Sequence, residues 1–284
     1  MVNADQHVIG QNAKSQELLH LQQKINAARQ LLQNVTNQLS FKQTQAAEEA
    51  TSIPSASQHP LTEQLTTEQS VTSEVPTPKD CQELYEQGNR LSGVYQINPP
   101  RMAGEHFPVW CEFVDGHGWT VFQKRINGYV DFLRNWTDYQ TGFGDIDGEY
   151  WLGLDKIHAL TSTNTKLSIL LKTVDGNTES GIWQSFYIND SSDGYRLSIS
   201  NDGYRGSLGA FCLDYHNGMK FSTPDRDQDN NVDNCAQEYK GGWWYNSCLF
   251  VILNRVYDSN GLGGIMWSCN PNQFTESEMR VTRD

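Results

Sequence analysis

All eight tryptophans and all six cysteines of this 284-residue chain lie beyond residue 80, and Phe41 is the only aromatic residue before it. Large aromatic side chains carry most of the burial in a core, and cysteines supply its cross-links. A packed globular core is therefore confined to residues 80–284. Charge follows the same division. Residues 1–79 hold five basic and seven acidic side chains, against 16 and 27 in the remainder, so most of the formal net charge of -13 sits on the core-forming part. Such an acidic protein lacks the basic footprint of a nucleic-acid binder. No run of about 18 apolar residues exists, so no membrane insertion is expected.

The N-terminal part divides further. Residues 1–14 read as a disordered N-terminus. Leu18, Leu21, Ile25, Ala28, Leu32, Val35 and Leu39 then recur in steps of three and four. That spacing is a narrow heptad seam over about three heptads. A helix this short must bury its stripe. The seam predicts a coiled-coil helix over 15–47 that joins copies of the chain into a homo-oligomer. An amphipathic helix docked on the C-terminal domain is the competing reading, and dimer and trimer are not distinguished. Residues 48–79 are rich in Ser, Thr, Pro and Gln with apolar residues only singly. Such a stretch cannot offset its ordering entropy and reads as a flexible linker.

Beyond residue 80, short β-rich runs at Trp119–Arg125, Lys166–Thr173 and Ser247–Leu253 are separated by Gly, Asp and Asn. Helical patterns appear at Cys81–Gln87 and Asp155–Leu160. Pairs such as Asp175-Gly176 supply the positive φ that tight turns need. The pattern predicts an α+β domain with an antiparallel sheet. The cysteines are Cys81, Cys111, Cys212, Cys235, Cys248 and Cys269. Their even number favours three bridges and leaves the pairing open. Sequons at Asn34, Asn135 and Asn189 are candidate glycosylation sites. With the cysteines they predict a secreted, extracellular protein, although the first ten residues lack the basic and apolar regions of a signal peptide.

The densest chemistry lies between Asp225 and Cys248. Four aspartates fall within nine residues, and Tyr239, Trp243, Trp244 and Tyr245 follow. Crowded carboxylates are best tolerated with a cation, and Ca²⁺ takes about six to eight oxygens. An EF-hand is excluded: counting from Asp225, its sixth position is Asn230 instead of Gly and its twelfth is Ala236 instead of Glu. The two tryptophans are expected to pack in the core.

In order along the sequence, DCQELYEQG (80–88), SGVYQINP (92–99), VWCEF (109–113), GWTVFQKR (118–125), VDFLRNWTDY (130–139), EYWLGLDKIHALT (149–161), YHNGMKFSTPDRD (215–227) and CAQEYKGGWWYNSC (235–248) resemble the fibrinogen-related domain. That is the globular module of fibrinogens, ficolins, tachylectins, angiopoietins and tenascins, and the resemblance covers 80–284. It implies a fibrinogen C-terminal-like fold with a twisted antiparallel sheet and short helices. It implies bridges Cys81–Cys111 and Cys235–Cys248. Cys212 and Cys269 fall outside the usual pattern and are expected to pair with each other. Calcium ligands carried over by position are the side chains of Asp227 and Asp229 and the main-chain carbonyls of Asn231 and Asp233, with Asp225 orienting them from behind.

Sugar-binding members of that family hold acetyl groups beside the calcium loop. The corresponding positions here are Tyr239, the backbone donors of Cys248 and Leu249 after a cis Ser247-Cys248 peptide, and Gly261, Leu262 and Gln273. Only Tyr239 matches among the side chains. No G-x-S-x-G, H-E-x-x-H or P-loop occurs, so no enzyme activity is expected. The sequence reading is a secreted, calcium-supported lectin of ficolin or tachylectin type whose partners are acetylated glycans or glycoproteins in innate defence. The alternative is a protein-binding ligand or matrix component of angiopoietin or tenascin type.

Overall fold

The computed structural model describes residues 77–283 except 103, 163 and 258–263. The expected N-terminus (1–14) and coiled coil (15–47), and the linker up to 76, lie outside the described residues. So do Asn34, Gly261 and Leu262.

Helix α1 (Cys81–Glu86) opens the domain, capped by Asp80, whose Oδ1 accepts the Glu83 N–H at 2.7 Å. Strands β1 (Gly93–Ile97), β2 (Phe107–Val114) and β3 (His117–Arg125) form an antiparallel meander. Helix α2 (Trp136–Thr141) leads to the hairpin of β4 (Phe143–Gly144) and β5 (Tyr150–Trp151), then to α3 (Leu154–Leu160). Strands β6 (Thr165–Thr173) and β7 (Thr178–Trp183) form the next hairpin; Gly176 takes φ 83° in its turn, as the Asp-Gly pair predicts. A separate ribbon joins β8 (Ser185–Ile188) to β9 (Leu197–Ser200). After the short β10 (Arg205–Gly206) come α4 (Ala210–Asp214) and α5 (Cys235–Tyr239), then β11 (Val251–Ile252) paired with β12 (Met266–Trp267). The long β13 (Phe274–Arg283) is the last described element.

The α+β class is confirmed, with all strand pairs antiparallel. The main sheet runs β1-β2-β3-β13-β6-β7-β10, with β5 also on β3 and β4 on β5. The last strand thus sits at the centre, wedged between β3 and β6. Leu167, Ile169 and Leu171 of β6 face Val281, Met279 and Ser277 of β13 along one buried row. A bulge at Met279/Arg280 leaves Phe122 without a partner on β13. Phe122 stacks on Phe186, and its carbonyl accepts the Leu152 N–H at 2.9 Å. Bulges re-aim side chains in this way.

Polar side chains of the sheet fasten the functional half of the domain. Gln123 Nε2 donates to Leu253 O, and Arg125 donates to Leu253 O and Arg255 O, between the rings of Phe132 and Tyr257. Asn254 Nδ2 in turn donates to Gly242 O. Beyond lies an aromatic core in which Trp151 touches Tyr139, Phe221 and Trp244. Buried indoles need acceptors. Trp151, Trp244 and Trp267 find them in the carbonyls of Tyr139, Tyr195 and Leu208. Trp243, Trp244 and Tyr245 are all core residues.

One sequence expectation fails locally. Ser247–Leu253 is not a continuous strand; only Val251–Ile252 pairs. The backbone before it is used otherwise. Asn246 O accepts the Asn230 N–H, and the N–H groups of Phe250 and Val251 turn to His216 Nε2. A segment whose carbonyl is taken by a loop and whose donors are taken by a side chain cannot continue a ladder.

Candidate functional site

The acidic loop is a set of carboxylates held by backbone N–H groups. Asp227 Oδ1 accepts the Asp229 N–H at 3.2 Å, Asp229 Oδ1 accepts the Asn231 N–H at 2.9 Å, and Asp229 Oδ2 accepts the Cys235 N–H at 3.0 Å. Burial pushes the Asp229 carboxyl up, the two backbone donors oppose this, and the neighbouring Asp227 charge adds to the rise. Two adjacent carboxylates, one partly desolvated, are the donor chemistry a hard divalent cation relieves. Among the described residues, no backbone hydrogen bond reaches the carbonyls of Asn231 and Asp233. The four expected donors therefore fit Ca²⁺ in kind. Only two of them are carboxylate side chains, and no group of three or more His, Cys, Asp and Glu side chains converges among the described residues.

Asp225 has a task that the sequence did not suggest. Its Oδ1 accepts the Trp136 N–H at 2.8 Å and the Thr223 hydroxyl at 2.7 Å. Arg226 lies 3.9 Å above the Trp136 ring. Together they tie the start of the loop to helix α2. At the other end, Asn234 caps α5 by accepting the Gln237 N–H, and Cys235 is bonded to Cys248.

The middle of the loop leans on the segment around that disulfide. Asn230 Nδ2 donates to Asn246 Oδ1 at 3.0 Å, and Asn231 Nδ2 approaches Cys248 Sγ at 3.4 Å. The Ser247-Cys248 peptide is cis. Its carbonyl side is gripped from the end of α4, where Tyr215 Oη donates to Ser247 O at 3.2 Å. Cys212, within α4, is bonded to Cys269, and the third bridge joins Cys81 to Cys111.

The other acetyl-pocket positions are less coherent. Tyr239 is half-buried at the end of α5, 6.4 Å from the Tyr245 ring, and Leu249 is half-buried against the core. Gln273 is exposed just before β13, where its carbonyl accepts the Val174 N–H beside the β6–β7 hairpin. It does not lie on the elements that carry Tyr239 and Leu249. Four depressions on the described surface lie elsewhere, and none of these four is lined by Tyr239, Cys248 or Leu249.

Several residues at this site escaped the sequence reading. Phe211, Tyr215 and Phe250 form a contiguous aromatic ledge beside the cis peptide. His216 is wholly buried below it. Its Nδ1 lies 2.7 Å from Trp244 O, while Nε2 accepts the Phe250 and Val251 N–H groups at 3.3 and 3.1 Å. That pattern places the proton on Nδ1 and keeps the ring neutral, and burial holds it down at about 4. The available signals were proximity to cysteines, with Phe211 next to Cys212 and Phe250 two residues after Cys248.

A sheet closed by its own last strand, short helices on capped turns and a disulfide-bounded acidic loop define a fibrinogen-type globular domain. The protein belongs to the family described as fibrinogen beta and gamma chains, C-terminal globular domain, whose model matches residues 77–282. It is 41% identical over 195 residues to angiopoietin-related protein 7 of Bos taurus, covering 66% of this chain and 56% of that protein. It is 42% identical over 195 residues to tenascin-R of Homo sapiens, covering 68% of this chain and 14% of that protein. The fibrinogen-like globe domain of human ANGPTL2 superposes with a TM-score of 0.68 at 36% identity, covering 72% of this chain and 99% of that one. The match thus spans little more than half of the first relative and a small part of the second.

These likenesses correct the lectin reading. The relatives named above are angiopoietin-related proteins and a tenascin, the group held as the alternative to the lectin. The physical reason lies in the side chains. Leu249 and Gln273 depart from the sugar-binding pattern, and Gln273 stands on a different part of the fold from Tyr239. No helix of the described residues is long and apolar enough to cross a membrane.

Proposed function

We propose that this domain is an extracellular, non-catalytic protein-recognition module of a ligand or matrix protein, with the acidic loop stiffened by Ca²⁺. The observation that carries the reading is the company the protein keeps: 40–44% identity to angiopoietin-related proteins and tenascin-R over 195–198 residues. The disrupted acetyl pocket agrees with it. Calcium would be held by Asp227 and Asp229 with the carbonyls of Asn231 and Asp233, neutralising the carboxylate pair and fixing the loop against Ser247-Cys248. The heptad segment 15–47 would join copies of the protein and add avidity to single-site contacts. Of the described sequons, Asn135 is exposed at the α2 N-cap, whereas the Asn189 amide is engaged with Asp193 Oδ2. Asn135 is therefore the better glycan acceptor.

The test is binding of the full-length protein to a panel of immobilised receptor ectodomains and matrix proteins, with and without calcium, beside an N-acetyl sugar array. Saturable binding to a protein with a blank array supports the reading. Binding only to acetylated sugars, competed by N-acetylglucosamine, overturns it.

A further inference from the structure

The aromatic ledge leaves large ring surfaces open beside the groups it holds. Phe211 is 65% exposed and Phe250 37% exposed, yet their rings approach to 6.1 Å, and Tyr215 meets Phe250 edge-on at 4.6 Å. Large apolar side chains exposed together, instead of singly, mark a contact surface. This ledge is also rigid. Cys212, fully buried, is bridged to Cys269 and fastens α4, while the Tyr215 hydroxyl bonds to Ser247 O. Pre-organised aromatic groups lose little freedom on binding and supply the anchors of protein interfaces.

The surroundings specify the occupant. The ledge is continuous with the acidic loop through the Asn246–Cys248 turn, which bonds to Tyr215 on one side and to Asn230 and Asn231 on the other. Val232, at the loop's tip, is 97% exposed. Asp233 follows it and Asp214 immediately precedes Tyr215, so two further carboxylates flank the ledge in the sequence beyond those a divalent cation on Asp227 and Asp229 would neutralise. An acidic rim around an apolar centre steers basic partners and repels acidic ones. A second copy of this acidic domain would bring like charge to like.

Resting on the protein-recognition reading above, we propose that Phe211, Tyr215 and Phe250 form the docking surface for a protein segment that presents an apolar or aromatic side chain flanked by Lys or Arg. The probe is a fluorescein-labelled twelve-residue peptide in which Trp and Leu alternate with Lys. Its controls are the same peptide with Glu for Lys, and one with Ser for Trp and Leu. Fluorescence anisotropy is read on the full-length protein in calcium buffer.

The Lys/Trp/Leu peptide binds, both controls bind at least tenfold more weakly, and F211S/F250S weakens binding at least tenfold. Y129S removes an aromatic residue 90% exposed elsewhere and leaves binding unchanged. Near-ultraviolet circular dichroism shows that each variant is folded. Equal binding of the Glu peptide, or unchanged affinity in folded F211S/F250S, overturns the proposal. So does a sedimentation coefficient that falls in F211S/F250S without any peptide, which assigns the ledge to a second copy. If a protein partner from the ectodomain panel binds the ledge variants normally, this inference falls while the protein-recognition reading stands. If no protein binds the parent, both fall.

Discussion

His216 offers the sharpest test of how the recognition surface is held. Its buried ring gives a proton to Trp244 O and takes two from the backbone at Phe250 and Val251. A second proton has no place: it would sit on Nε2 facing two N–H donors. Burial therefore holds the ring at about 4 in the folded domain, against an ordinary 6.5. The unfolded protein takes up this proton as pH falls below about 6.5, while the native state refuses it until about 4. Because the folded pKa is the lower one, this contribution to stability is intact above about pH 6.5 and is lost progressively as pH falls towards 4. Between pH 7.5 and 4.5 the linkage amounts to about 2.5 kcal/mol.

The perturbation is His216→Gln, which keeps polar reach and removes titration. The assay is urea unfolding at four pH values across that range, followed by tryptophan fluorescence. All eight tryptophans report on this domain alone. Shared carboxylates and the other histidines cancel in the difference between parent and variant. At pH 7.5 the variant is less stable by about 1–3 kcal/mol for imperfectly replaced hydrogen bonds. That deficit shrinks by about 2.5 kcal/mol at pH 4.5, because only the parent bears the proton penalty. Parallel pH curves for the two proteins would refute the neutral, doubly accepting ring.

Three further outcomes are expected. D227A/D229A removes any rise in Tm on adding calcium, and a parent whose Tm is the same with calcium and with chelator sinks the metal assignment. Graded reduction followed by alkylation and mass spectrometry opens Cys212–Cys269 first, because Cys269 is exposed whereas Cys81, Cys111 and Cys235 are buried; earlier opening of Cys81–Cys111 contradicts this. Glu149→Gln destabilises the domain by about 2 kcal/mol or more, since its carboxylate accepts the N–H groups of Ile126, Asn127, Gly128 and Val130. A change below about 0.5 kcal/mol in urea unfolding would show that the 126–130 turn holds without it.

Much of the scaffold was legible because it rests on local spacing. Alternation marks β3 and β6, an Asp-Gly pair marks the turn after β6, and the order of motifs from Asp80 to Cys248 carries the family. The position of Asp227 and Asp229 relative to Cys235 is likewise a matter of counting. Ser247–Leu253 misled because its alternation is that of a strand, while its donors go to His216 and the preceding Asn246 carbonyl to Asn230. The choice between lectin and protein binder misled for a related reason. Both kinds share the backbone framework that the motifs record, and they differ at a few side chains such as Leu249 and Gln273.

By itself, then, the amino-acid order determined where the core lies and that it is a fibrinogen-type domain. Only the tertiary structure decided that β13 closes the middle of the sheet and that Asp225 anchors the loop to Trp136. It also decided that Phe211, Tyr215 and Phe250 meet at one surface. Residues a few positions apart are related by the geometry of one backbone segment, which a sequence shows directly. Residues 211 and 250 are related by how two segments pack through His216, the Cys212–Cys269 bridge and the turn between them, and that depends on the whole core at once.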